Sequence, residues 1–185
     1  MESAKSRLTK SDYLRRGLDV LAAEGPRSLT AARMARELNV TKGSFYWHFE
    51  SVDSFRDDLK RFWHDDVVIA IITEAKKLAK DPGDVLEEIG RIVRQRRTHR
   101  YDTAMRCWAE FDRDVQEVVR SADRVRRDLI TKVLRGAGVD AEHANDRASL
   151  LGAAWLGSQD LDDPDHRFRL ISLVIAPHLG RIQAQ

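Results

Sequence analysis

Along most of the chain apolar residues recur every three or four positions, and glycine and proline fall between the periodic stretches, which predicts an all-α fold of about nine helices. The first helix starts at TKSD, where Thr9 and Asp12 have capping-box spacing, runs along Leu14, Leu18, Leu21 and Ala22, and stops at Gly25-Pro26. A short second helix lies in SLTAARMARELNV. Thr30 is its N-cap, Leu29 and Met34 have the spacing of a hydrophobic staple, Leu38 continues the buried line, and Asn39 suits a left-handed C-terminal position. The same grammar then repeats in VTKGSFYWHF, with Val40 ahead of a cap at Thr41 and Phe45 in the stapling position. Two short helices joined through so short a turn have helix-turn-helix spacing.

A new start at Ser51, with Asp53 near the positive end of the helix, opens a run through Phe55, Leu59, Phe62, Trp63, Ile69 and Ile72 to about Lys80. At 1.5 Å per residue such a helix is on the order of 45 Å long, enough to leave one domain and enter another. The predicted organisation is a helix-turn-helix domain over 1–50 and a second helical domain over 51–185, with 51–80 as connector. Pro82-Gly83 ends the connector, and later helices carry Val85 to Val93, Tyr101 to Phe111, and Val115 to Val133. The last two are AEHANDRASLLGAAWLGSQ and DPDHRFRLISLVIAPHLGRIQ. The second of these is apolar almost all round, which calls for cover on both sides and predicts a two-fold homodimer.

Composition narrows the classes. In 185 residues, 42% hydrophobic content is ample for a core, and 34% charged residues nearly cancel at +2, so any nucleic-acid contact must be local. Residues 1–50 carry nine Lys and Arg against six Asp and Glu, a weak local excess of positive charge. The single cysteine, Cys107, excludes an internal disulfide and sits in a sequence of apolar neighbours, so it reads as core rather than as a nucleophile. The six histidines show no pair at metal-ligand spacing on one helix, and there is no Gly-rich phosphate loop; neither metal, cofactor nor enzyme activity is expected. MESAKSRLTK has no apolar stretch behind it, and the longest apolar run, VVIAII, is too short to cross a bilayer, so the expectation is a soluble, cytoplasmic protein with no membrane partner.

The third helix poses the sharpest chemical question. Phe45 and Phe49 lie one turn apart and share the inward face, which leaves Tyr46 and Trp47 pointing elsewhere. Lys42 is one turn from Tyr46 and Gly43 one turn from Trp47, so a single face offers a cation, a phenol, an indole and bare backbone. These groups suit the edge of a DNA major groove: Lys42 and Tyr46 for phosphates, Gly43 for close approach, Trp47 for sugar or a thymine methyl. Thr41, Ser44 and His48 add hydroxyl and imidazole donors, and the helix N-terminus favours phosphate. A basic arm, Lys5 and Arg7, precedes the first helix and can reach phosphate or the minor groove.

LTAARMARELNVTKGSFYWHF resembles helix two, turn and helix three of the TetR family of transcriptional regulators, and the order of helices resembles that family's plan of three for DNA, a connector, and the rest for ligand and dimer. The resemblance implies DNA contacts at Thr30, Ala31, Thr41, Lys42, Gly43, Ser44, Tyr46, Trp47 and His48. It implies a DNA-binding regulator, by family habit a repressor, whose homodimer holds double-stranded operator DNA until a small, largely apolar inducer enters the C-terminal domain. Phe62, Trp63, Ile69, His99, Met105, Trp108 and Phe111 are the candidate lining of that cavity, with Gln116 as a further polar contact. One departure stands out. Where the family usually has a phosphate-holding lysine at the start of the fourth helix, this chain has Val52 between Glu50 and Asp53, which shifts the expected burden to the arm, Arg33 and Arg36 or weakens DNA binding. The alternative function is therefore a ligand- or protein-binding adaptor of the same fold. The arginines of RIVRQRRTHR suit an anionic ligand such as a coenzyme A thioester, or a solvated face paired with acids.

Overall fold

Thr9 opens the first helix as the sequence predicts: its side chain accepts the Asp12 N–H, and the Asp12 carboxylate accepts the Thr9 N–H at 2.7 Å. The Thr9 N–H, and then the Thr9 hydroxyl, which also donates to this carboxylate at 2.7 Å, hold the Asp12 carboxyl below its ordinary value. The computed structural model describes residues 8–157, and every regular element among them is helical. Helix α1 (Lys10–Glu24) buries Tyr13, Leu14, Gly17, Leu18, Val20 and Leu21, and the positive φ of Gly25 (77°) ends it. A single 3-10 turn, Pro26–Ser28, leads into α2 (Ala31–Glu37), capped by the Thr30 hydroxyl on the Arg33 N–H at 3.2 Å. Leu29 and Met34, the expected staple pair, are both fully buried. Asn39 takes the left-handed conformation (φ 52°) that turns the chain into α3 (Lys42–His48).

Ser51 caps α4 (Val52–Phe62) through a reciprocal box with Ser54. Winding then changes to a π-helical stretch, Trp63–Ile69, before α5 (Ala70–Leu78). The helical run thus extends about as far as the apolar periodicity predicts, and neither Pro nor Gly marks its change of winding. After a 3-10 turn, Pro82–Asp84, come α6 (Val85–Arg96), α7 (His99–Ala109), α8 (Arg113–Gly136) and α9 (Ala141–Gly157). The predicted terminal helix beyond Asp163, the arm residues Lys5 and Arg7, and with them the proposed dimer-forming segment, lie outside the described residues.

The chain forms two compact units. One combines the chain up to Asp66 with Arg100–Val118. Its centre is aromatic: Phe45, Phe49 and Phe55 meet ring to ring at 4.9 to 5.3 Å, with Tyr13 edge-on to Phe45 and Phe49. Gly17 lets α1 approach α4 so closely that a Cβ there would stand 2.7 Å from Phe55 Cζ. Lys10 pairs with Asp58 at 2.5 Å, and this bond together with that of Arg61 outweighs the effect of burial and lowers the Asp58 carboxyl. The second unit combines Val67–His99 with the chain from Val119 onward. Its described part packs α5 on α6 and gathers Leu134, Ala144 and Leu151 with Leu86, Ile130 and Val139.

Two expectations fail here, one at a helix end and one by helix phase. Phe111 does not share the inward face of Tyr101, Met105 and Trp108, because α7 ends at Ala109 and the Phe111 N–H closes a turn on the Trp108 carbonyl; its ring is 87% exposed. Cys107 is exposed rather than core, two positions from Met105 and hence about 200° around the helix.

Candidate nucleic-acid interface

Helix α3 is only seven residues long and its N-cap, Thr41, makes no side-chain cap bond, so intrinsic stability cannot hold it. Packing does. Phe45 is fully buried and Phe49 is 2% exposed, and both lie against Phe55 of α4 and Tyr13 of α1. With that side anchored, the next positions must point outward: Tyr46 is 53% and Trp47 is 65% exposed. Thr41, Lys42 and Gly43 are exposed in the turn before them, and Ser44 and His48 are half-buried along the edge. Among the described residues a Cβ on Gly43 would meet only Thr41 Oγ1, at 3.7 Å, an ordinary contact that does not require glycine there.

Two predicted DNA contacts, Ala31 and Arg33, are placed differently. Ala31 is buried, because Ala31, Met34 and Ala35 form the inward stripe of α2; its methyl offers nothing to a ligand. Arg33 is turned inward onto α1: its guanidinium bonds both oxygens of Glu24, with Nε to Oε2 at 3.1 Å, and reaches Glu37 one turn on. The hydrogen bonds of Glu24 and then Glu37 raise the Arg33 pKa, and Arg33 lowers both carboxyls. Ser44 is engaged by Tyr13, whose hydroxyl donates to Ser44 Oγ at 2.7 Å. Thr30 is exposed, its hydroxyl serving as the cap.

The Arg33 bridges belong to a longer chain of alternating charge. Glu37 also receives Arg16, Arg16 stands 3.4 Å from Asp19, and Asp19 accepts the Tyr101 hydroxyl at 2.7 Å and Arg100 at 2.5 Å. Burial, and secondarily this bond to Asp19, raises the Tyr101 phenol. Two members of the arginine run are thereby paired within their own units, Arg100 with Asp19 and Arg96 with Glu74 at 2.7 Å, and Arg91 adds a pair with Glu88 at 2.7 Å.

Sequence reading missed Tyr13 and Asp19. Tyr13 falls on the buried stripe of α1 one position before Leu14, a signal present in the spacing; the partner of Asp19 lies more than 80 positions away and leaves no local trace. Among the candidate ligand residues, Phe62, Trp63, Met105 and Trp108 are buried in the first unit, and Ile69 and His99 are half-buried in the second. Among the described residues no group of three or more His, Cys, Asp or Glu is placed to hold a metal ion, and no helix is long and apolar enough to cross a membrane.

Residues 14–56 match the family model of bacterial regulatory proteins, tetR family. That segment is the one whose motif resembles the TetR family, and it contains all of α3. Comparison with curated proteins gives no match. Among solved structures, a transcriptional regulator from Rhodococcus sp. Rha1 superposes with TM-score 0.71 at 21% identity, covering 94% of this chain and 97% of its own. A TetR-family transcriptional regulator from Streptomyces coelicolor gives TM-score 0.71 at 18% identity, covering 92% and 88%. A TetR transcriptional regulator from Legionella pneumophila gives 0.73 at 14% identity, covering 94% and 98%. The chain has the fold of these regulators.

Proposed function

We propose that this chain is a DNA-binding transcriptional regulator that grips duplex DNA through α3 and acts as a homodimer, one reading head per half-site. The observation that carries the proposal is the division of α3 into a buried phenylalanine side and an exposed side bearing Lys42, Gly43, Tyr46 and Trp47. An indole and a phenol more than half exposed beside a lysine, edge-on to His48 and Phe45 respectively, are costly to solubility, but they fit a groove edge that supplies phosphate, sugar and thymine methyl groups. Repression, with release by a small and largely apolar ligand bound in the C-terminal domain, is the fuller form of this proposal.

A gel-retardation series with the DNA upstream of the chain's own gene tests it. A regulator retards the fragment at low salt and loses affinity steeply as salt rises, because phosphate contacts release counterions. Failure to retard any duplex at any salt rejects the proposal. It would favour the second reading, an adaptor of the same fold, for which the start of α4 speaks: Glu50 and Asp53 are exposed there, and the Asp53 carboxylate pairs with Arg56, at 3.1 Å, on its own helix.

A further inference from the structure

Tyr13 is fully buried on α1, yet it carries a hydroxyl that must find a partner away from water. That partner is Ser44, 31 residues away in the first turn of α3, at 2.7 Å. The same ring lies 4.9 Å from His48, 6.1 Å from Phe45 and 5.8 Å from Phe49. One side chain of α1 therefore touches α3 from its first turn to its last, while the usual device for fixing a first turn, the cap at Thr41, makes no side-chain bond.

We propose that Tyr13 is a positioning residue for the reading face, acting through Ser44. Resting on the DNA-binding reading above, the inference adds how the first turn of α3 is prepared for an anion. With the Tyr13 hydroxyl donating, one lone pair of Ser44 Oγ is occupied from the inside. The hydroxyl hydrogen of Ser44 then points away from Tyr13, and since Ser44 is half-buried its outward side is open to solvent. A hydroxyl held in this way is a directed donor for a phosphate oxygen, and the bond it accepts polarises the one it gives. Removing the phenol oxygen leaves Ser44 free to spin and takes from the first turn of α3 its hydrogen bond to α1.

The test uses the full chain as Tyr13→Phe, Ser44→Ala and the double variant, read by amide hydrogen exchange over α3 and by retardation of the upstream duplex. Phenylalanine keeps the ring contacts, and the Ser44 oxygen it leaves can be hydrated, so the variant should stay folded, with its unfolding equilibrium shifted by no more than roughly three- to tenfold. Tyr13→Phe should speed exchange of the α3 amides and weaken DNA binding, each roughly three- to tenfold, the net worth of one hydrogen bond. In the Ser44→Ala background the same change should do nothing further, whereas Ser44→Thr, which keeps the hydroxyl, should restore binding. Unchanged exchange in Tyr13→Phe overturns the inference whatever the DNA result. Faster exchange with unchanged affinity, or effects of the two substitutions that simply add, overturns it as well. If the unsubstituted chain retards no duplex, the DNA-binding reading fails and takes the functional role of Tyr13 with it, while the exchange measurement still decides whether Tyr13 holds α3.

Discussion

Phe45 and Trp47 stand two positions apart on α3, and the first is fully buried while the second is 65% exposed. Two helical residues are about 200° of rotation, so a helix that sinks one of them must raise the other. Stability and recognition are therefore carried by opposite sides of the same seven residues.

Substitutions on the two sides should separate these roles. Phe45→Ala should cost about 3–5 kcal/mol of unfolding free energy, the usual loss for a buried phenylalanine. Tyr46→Ala and Trp47→Ala should each stay within about 1 kcal/mol of the parent and yet abolish DNA retardation. Thermal or denaturant unfolding beside gel retardation measures both. An unimpaired shift in the Tyr46→Ala, Trp47→Ala double variant would remove α3 from the interface.

Gly43 gives an independent test, because internal packing does not require it. Gly43→Ala should leave stability unchanged or raise it by up to about 1 kcal/mol, since alanine is the better helix former. If backbone approach to DNA is the reason for glycine, affinity should fall about tenfold or more with the fold intact. Equal affinity in the alanine variant would show that the approach is not close.

Lys42 and Arg33, two of the cations of the helix-turn-helix, should differ in what they report. Lys42→Ala should reduce the slope of log affinity against log salt by about one, as expected for loss of one phosphate contact. Arg33→Gln should leave that slope alone and instead lower the unfolding midpoint, because its guanidinium is committed to Glu24 and Glu37. A changed salt slope for Arg33→Gln would mean that the bridges open when DNA binds.

A pH effect is expected at the start of α9. Asp140 accepts the His143 N–H at 3.1 Å and lies 2.7 Å from His143 Nδ1, which raises the imidazole above its ordinary 6.5 and lowers the carboxyl below 3.8. A raised histidine contributes stability that is complete below 6.5 and fades as pH climbs through its folded value; a lowered aspartate contributes stability that is complete above 3.8 and fades as pH drops through its folded value. Protection of the first α9 amides should hence be greatest between these limits and weaken toward alkaline pH. His143→Ala should flatten the alkaline side, and an unaltered profile in that variant would assign the effect elsewhere.

The features readable from residues alone are those whose causes are local. Thr9 with Asp12, Thr30 as a cap, Leu29 with Met34, and Asn39 at a left-handed turn are all settled within a few positions, and each occurs as expected. The opposition of Phe45 and Phe49 to Tyr46 and Trp47 follows from helix periodicity alone. Arg33 could not be placed in this way, since a surface arginine near a predicted interface looks the same whether or not Glu24 of the preceding helix folds back onto it. Ala31, expected from the resemblance alone, falls on the inward stripe of α2, and Phe111 lies past the end of α7, where helical periodicity no longer places a side chain. The π winding of Trp63–Ile69 has no residue signal, and we have no physical account of it.

The contact of Gly17 with Phe55 makes two distant positions one design unit. A chimera that transplants only residues 1–50 onto another regulator's body would set the notch of α1 against a foreign side chain, leaving either a void or a clash where the phenyl ring had been. Exchange of specificity between such proteins should carry the donor's α4 through Leu59, or mutate recipient position 55 to match.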